Sequence, residues 1–197
     1  MTKLEKIVEL ANSNNGVITT NQVVEAGISR GILKYAVNKG YLERADRGVY
    51  TLPDAWEDDF VSMQTRYKRG IYSLDTVLFL HDLTDRTPIR YTMTFPANYK
   101  VSAPKNEGIT CNTIKREWYD IGVSDVLTPN GHIVKGYSVE RTLCDLVRLK
   151  NKVDIQIITE AFKRYVKRKD KNIPLLSEYA KVFKVQDKVR SYLEVLL

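Results

Sequence analysis

Apolar residues return every three or four positions at the start of the chain. Leu4, Ile7, Val8 and Ala11 form one stripe, which predicts a helix over residues 3–12. Asn12-Ser13-Asn14-Asn15-Gly16 then reads as a turn, and Val17-Ile18 as a short strand. Thr20 is placed to cap a second helix through Val23, Val24, Glu25 and Ala26, with Gly27 as its stop. Ser29 is placed to cap a third helix that runs to Lys39 and ends at Gly40. Tyr41-Leu42-Glu43-Arg44 and Gly48-Val49-Tyr50-Thr51-Leu52 read as the two strands of a hairpin with Ala45-Asp46-Arg47 at its tip, and Pro53 closes the module. Helix, short strand, helix, turn, helix and hairpin, in that order, predict a winged helix-turn-helix over residues 1–52.

The pattern then changes. Residues 53–70 read as a connector, acidic at Asp54, Glu57, Asp58 and Asp59 and basic at Arg66, Lys68 and Arg69, in which Phe60, Val61 and Met63 permit one helical turn. Residues 71–85 suit a helix capped at Ser73. Ile89, Tyr91, Met93 and Phe95 alternate with polar neighbours, which predicts a half-buried strand over 89–95, and further short strands are expected near 108–114, 117–123 and 132–137. From Ser138 onward the period is helical. Val139, Leu143, Leu146 and Val147 form one stripe; Ile155, Ile158, Phe162 and Tyr165 turn inward along a helix over 153–169. Pro174 suits a helix start, and Val189, Tyr192 and Leu196 share one face of a last helix over 186–197. The expected fold class is therefore α+β: an N-terminal winged helix-turn-helix, then a larger mixed α/β domain over 71–197, with strands at about 89–137 and a closing helical segment over 138–197.

Composition adds three constraints. The chain has 197 residues and a formal net charge of +7, which invites a polyanionic partner. That charge is uneven: residues 1–90 hold 12 Lys+Arg and 12 Asp+Glu, whereas residues 91–197 hold 19 and 12. The two cysteines, Cys111 and Cys144, have no second Cys or His at metal-ligand spacing, so no metal site and no cofactor is expected. No signal peptide and no membrane span is written in the chain, and a cytoplasmic protein is expected, with no membrane partner.

The third helix carries the candidate chemistry. At 100° per residue, Ile32, Leu33, Ala36 and Val37 fall on one arc, and Arg30, Lys34, Tyr35 and Asn38 on the opposite one. Arg can meet guanine through two hydrogen bonds and Asn can meet adenine likewise. Ser29 at the helix start could hold a phosphate. Arg44 and Arg47 on the wing could reach the minor groove or the backbone of double-stranded DNA. The alternative is a winged helix that docks on an acidic protein partner. The near-zero charge of residues 1–90, with Glu43 and Asp46 inside the wing, implies that phosphate contacts come from the second half as well.

In that second half, Lys163, Arg164, Lys167 and Arg168 cluster on one side of a helix, either as a solvated helix end or as a surface for DNA phosphates. Arg141 and Asp145, four residues apart, are expected to pair in a structural role. His81 beside Asp82 lacks a partner motif, and His132 after Asn130-Gly131 reads as a turn residue. There is no phosphate loop, no G-x-S-x-G and no HExxH, so no catalytic residue is assigned and the chain is not expected to be an enzyme.

Three stretches together resemble the AbiEi-type antitoxins. They are Gly16-Val17-Ile18-Thr19-Thr20 through Arg47-Gly48-Val49-Tyr50; Tyr72-Ser73-Leu74-Asp75-Thr76 through Arg86-Thr87-Pro88 with Thr92-Met93-Thr94-Phe95-Pro96; and Ser138-Val139-Glu140-Arg141-Thr142-Leu143-Cys144-Asp145 through Arg148. The resemblance implies a winged-helix autorepressor of a bacterial toxin–antitoxin operon of the abortive phage infection kind, binding inverted repeats in its own promoter. It also implies a C-terminal domain that counters a nucleotidyltransferase-like toxin without a stable complex, the type IV arrangement. One departure is visible: the family often has a His after the Ser that opens the second stretch, and Leu74 stands there.

Overall fold

The computed structural model describes residues 2–149 and 153–196. The protein is a mixed α+β chain of two compact units, one made of residues 1–68 with 127–134, the other of residues 69–126 with 135–197.

The first unit runs α1 (Lys3–Ser13), β1 (Val17–Thr19), α2 (Thr20–Glu25), α3 (Gly31–Asn38), β2 (Glu43–Asp46), β3 (Val49–Thr51) and α4 (Asp59–Arg66). Its strands form an antiparallel sheet in the order β1-β3-β2. Reciprocal caps fix two helix starts. Thr2 and Glu5 exchange bonds at α1, and Thr19 and Gln22 do so at α2. The α2 cap is thus Thr19, not Thr20, because the glutamine that completes the box lies three residues after Thr19; the Thr20 hydroxyl instead meets the Gly48 carbonyl at 3.4 Å. The core is the inward stripe of three helices: Ile7 and Ala11 from α1, Val23 from α2, Leu33 and Ala36 from α3, with Ile18, Ile28 and Leu42.

The stretch expected as a connector contains α4, a real helix capped by Asp58, whose Oδ1 accepts the Phe60 N–H at 2.9 Å. The other carboxylate oxygen accepts from Thr128 Oγ1 (2.6 Å) and from His132 Nδ1 (2.7 Å), and Asp58 and His132 are each 2% exposed. His132 is therefore not a plain turn residue. A buried carboxylate is costly without donors, and the turn over residues 128–132 supplies two of them.

The second unit runs β4 (Ile71–Tyr72), α5 (Leu74–Leu80), β5 (Thr92–Pro96), α6 (Ser102–Asn106), β6 (Thr110–Ile114), α7 (Arg116–Tyr119), β7 (Val123–Leu127), β8 (Ile133–Tyr137), α8 (Val139–Arg148), α9 (Ile155–Lys167), α10 (Ile173–Val182) and α11 (Gln186–Leu196). Its sheet has the order β6-β5-β4-β8-β7, with β5 parallel to β6, β4 antiparallel to β5 and β4 parallel to β8. Three expectations are corrected here. The helix expected over 71–85 is confined to 74–80, since Ile71 and Tyr72 pair with Thr94 and Met93 as a strand; Ser73 holds the expected cap position but makes no side-chain capping bond, its hydroxyl accepting instead from Thr94 Oγ1 at 2.9 Å. The strand expected over 89–95 starts at Thr92 and is buried at all five positions, because it is a central strand with helices α5 and α7 packed against it, whereas Ile89 is fully exposed. Residues 116–119 form helix α7, not a strand. The expected end of the last helix at residue 197 lies outside the described residues.

Helix α8 is the axis of this unit. Ser138 caps it, and Val139 through Val147 are all buried. Arg141, fully buried, sets its Nε 2.9 Å from Asp145 Oδ2 and donates from Nη1 to the carbonyls of Trp118 (2.7 Å) and Ile121 (2.6 Å). Its guanidinium lies between the rings of Tyr137 and Phe183, 4.3 and 4.0 Å from their centroids. Arg148 pairs with the other Asp145 oxygen at 2.9 Å. Gly122 (φ 73°) lets the chain pass this residue, since a Cβ there would sit 2.6 Å from Arg141 Cβ. Glu140 is buried beside it and accepts from the Tyr165 hydroxyl (3.1 Å) and the Asn172 N–H (3.3 Å). Desolvation raises the Tyr165 hydroxyl above its ordinary range and pushes the Cys144 thiol up to about 12.

Removing one partner of a buried, hydrogen-bonded pair costs about 3–5 kcal/mol. Arg141→Ala is expected to destabilise the second unit by an amount of this order, read as a lowered urea midpoint by circular dichroism; Arg148→Ala, at the partly exposed end of the same pair, should cost much less.

Candidate nucleic-acid interface

Helix α3 buries Leu33 (1% exposed) and Ala36 (0%) and leaves Arg30, Lys34, Tyr35 and Asn38 exposed. Arg30 immediately precedes the helix with helical backbone angles, so Arg30, Lys34 and Asn38 continue one row at four-residue spacing. Tyr35 is 50% exposed, and Lys39 Nζ stands 5.9 Å from its ring centroid. One expectation fails here. Ser29 does not cap α3: the cap position is Arg30, with no side-chain capping bond, and Ser29 takes the Ile32 N–H through its backbone carbonyl at 3.1 Å. The turn after Ile28 brings the chain in already helical, which leaves the Ser29 residue exposed but outside the capping position.

The β2–β3 hairpin bends at Arg47-Gly48, where Gly48 takes φ 81°. Arg44 and Arg47 are both exposed on it. Asp46, between them, is engaged: it pairs with Arg66 of α4 and accepts the Arg47 N–H at 2.6 Å. Burial pushes its carboxyl up, but the Arg66 and Arg47 hydrogen bonds, with the charges of Arg66 and Arg44, hold it below the usual range. The acidic residue of the hairpin is thus matched by a cation. The sequence does not reveal Arg66 of α4 as the partner of Asp46, because it lies 20 positions away; its place in a basic run is the only signal. Lys68 likewise reaches Asn21 Oδ1 of α2 at 3.0 Å.

The basic helix α9 is only partly free. Arg164 pairs with Asp85 and with Glu160 (2.8 Å), and Arg168 pairs with Asp170 (2.8 Å) and donates to the His81 carbonyl (2.7 Å). Lys163 and Lys167 remain exposed on it. His81 Nε2 donates to the Tyr137 carbonyl at 3.0 Å, and burial lowers its basicity. Among the described residues no group of three or more His, Cys, Asp or Glu is arranged to hold a metal, and no helix is long and apolar enough to cross a membrane.

Asp46 supplies a pH test. A carboxyl with a depressed folded value stabilises the fold above its unfolded value, near 3.9, and that contribution disappears as pH falls through the folded value. The pair is partly exposed, so it is worth at most about 1 kcal/mol. Arg66→Ala should raise the Asp46 value, read by NMR titration of its side-chain carbon, and should remove this acid-side stability increment.

Residues 5–53, from α1 through β3, match the family model described as transcriptional regulator, AbiEi antitoxin. No curated protein matches the chain. Among solved structures the chain is similar to the crystal structure of the RV2827C protein from Mycobacterium tuberculosis, at 12% identity and a TM-score of 0.46, over 98% of this chain and 81% of that one. The likeness to the AbiEi antitoxin regulators therefore rests on residues 5–53.

Proposed function

We propose that the first unit is a winged helix that binds double-stranded DNA, with α3 in the major groove and Arg44 and Arg47 of the wing on the adjacent backbone or minor groove. The protein acts as a repressor of its own toxin–antitoxin operon, recognising inverted repeats in the promoter. One observation carries the reading: α3 locks Leu33 and Ala36 inward and presents Arg30, Lys34, Tyr35 and Asn38 together to solvent. These are side chains suited to base edges and phosphates. Neutralisation of Asp46 by Arg66 supports the wing's part in it. Lys163 and Lys167 supply sequence-independent phosphate contacts. The second unit counters a nucleotidyltransferase-like toxin without a stable complex, in the cytoplasm, as a binder rather than a catalyst and without a cofactor.

Docking of the same unit on an acidic protein is the competing reading, favoured by the exposure of Val24, Tyr35 and Tyr41. Fluorescence anisotropy with DNA from upstream of the protein's own gene separates them. Each good base contact is worth about 1–3 kcal/mol, so Arg30→Ala/Lys34→Ala should weaken operator binding at least ~tenfold and reduce discrimination against random DNA. Lys163→Ala/Lys167→Ala should weaken binding to every sequence alike and lower the salt slope by about 0.9 per lost contact. Operator affinity unchanged in the first double variant would remove the recognition-helix assignment.

A further inference from the structure

The second unit holds a cleft of about 450 Å³ between α5, the loop over residues 84–91, the start of β5 and α9. That volume lies in the range of small-molecule sites, about 300–1,000 Å³. Its apolar lining comes from Pro88 and Ile157 over the buried Leu78, with the fully exposed Ile89 beside them, and two exposed arginines, Arg86 and Arg90, also line it.

Those arginines differ from others in the unit. Arg141, Arg148, Arg164, Arg168 and Arg190 are each ion-paired with a carboxylate. Among the described residues neither Arg86 nor Arg90 has such a partner, although Asp75 lines the same cleft. The loop that carries them is anchored at both ends. The Arg86 N–H donates to Thr84 Oγ1 at 3.2 Å, Asp85 is held by Arg164, and past Arg90 the Thr92 N–H donates to Thr76 Oγ1 at 2.8 Å. The backbone that carries the two cations is therefore held near its ends, while their side chains are exposed.

Two unpaired guanidinium groups call for an anion, and phosphate fits their donor fork. A bare phosphate would leave the apolar walls without a function, and a purely apolar ligand would desolvate two charges without return. A ligand with a phosphate at one end and a flat, weakly polar ring at the other uses both. We propose that this cleft binds a nucleoside phosphate, with Arg86 and Arg90 on the phosphate, Pro88 and Ile157 against the base, and Asp75 accepting hydrogen bonds from the base's amino group. Burial pushes the Asp75 carboxyl above its ordinary value.

Isothermal titration calorimetry of the full chain tests this with the four ribonucleoside triphosphates, the corresponding free nucleosides and inorganic phosphate. At least one triphosphate should bind one per chain, at least tenfold more tightly than inorganic phosphate or its own nucleoside. Arg86→Ala/Arg90→Ala, at two exposed positions, should weaken it tenfold or more, and Arg86→Lys/Arg90→Lys should recover only part of the loss. Arg30→Ala/Lys34→Ala should bind it as the native chain does. The proposal falls if no triphosphate binds more tightly than phosphate, if Arg86→Ala/Arg90→Ala retains full affinity, or if Arg30→Ala/Lys34→Ala abolishes binding, which would place the nucleotide on α3.

Discussion

The burial of Leu33 and Ala36 is the constraint on which the first unit's chemistry depends. Both are essentially without solvent contact, packed with Ile7, Ala11 and Val23 from the two preceding helices. In a helix of 3.6 residues per turn, fixing that arc fixes the opposite one. The exposed row of Arg30, Lys34 and Asn38 is therefore a consequence of core packing, and a loosened core would blur it. The same unit buries a polar contact, Asp58 with His132 and Thr128, that ties the start of α4 to the turn over residues 128–132.

Charge is managed differently in the two units. In the first, the cations of α3 are exposed while Asp46 of the β2–β3 hairpin is matched by Arg66. In the second, where the whole net charge resides, much of the arginine charge is spent internally: Arg141 and Arg148 share Asp145, Arg164 holds Asp85 and Glu160, and Arg168 holds Asp170. A count of cations thus overstates what α9 offers a polyanion. Lys163 and Lys167 on that helix, and Arg86 and Arg90 on the 84–91 loop, are among the groups left facing outward.

Helical periodicity made the three helices within residues 1–52 legible, since each amphipathic stripe there is local. The pairing of Arg141 with Asp145 was legible for the same reason, being one turn apart. What could not be read depends on contacts distant in sequence. Thr92–Pro96 does not alternate in burial because helices α5 and α7 pack against this central strand, and Ile71-Tyr72 is a strand only because Met93 and Thr94 are there to pair with it. His132 looked like a turn residue because Asp58 lies 74 positions away. Ser29 and Thr20 looked like caps by residue type, yet the decisive features were the Thr19–Gln22 spacing and the helical backbone of Arg30. Helical phase placed Arg30, Lys34, Tyr35 and Asn38 on the exposed arc of α3, whereas the carboxylate partners of Arg164 and Arg168 only the fold reveals.

DNA reading by α3 is tested most directly by hydroxyl-radical footprinting of the native protein on the DNA upstream of its own gene, at nucleotide resolution. Two protected half-sites in inverted orientation, persisting in excess random DNA, are the predicted result. Protection that is uniform along the fragment, or removed completely by random DNA, would contradict it.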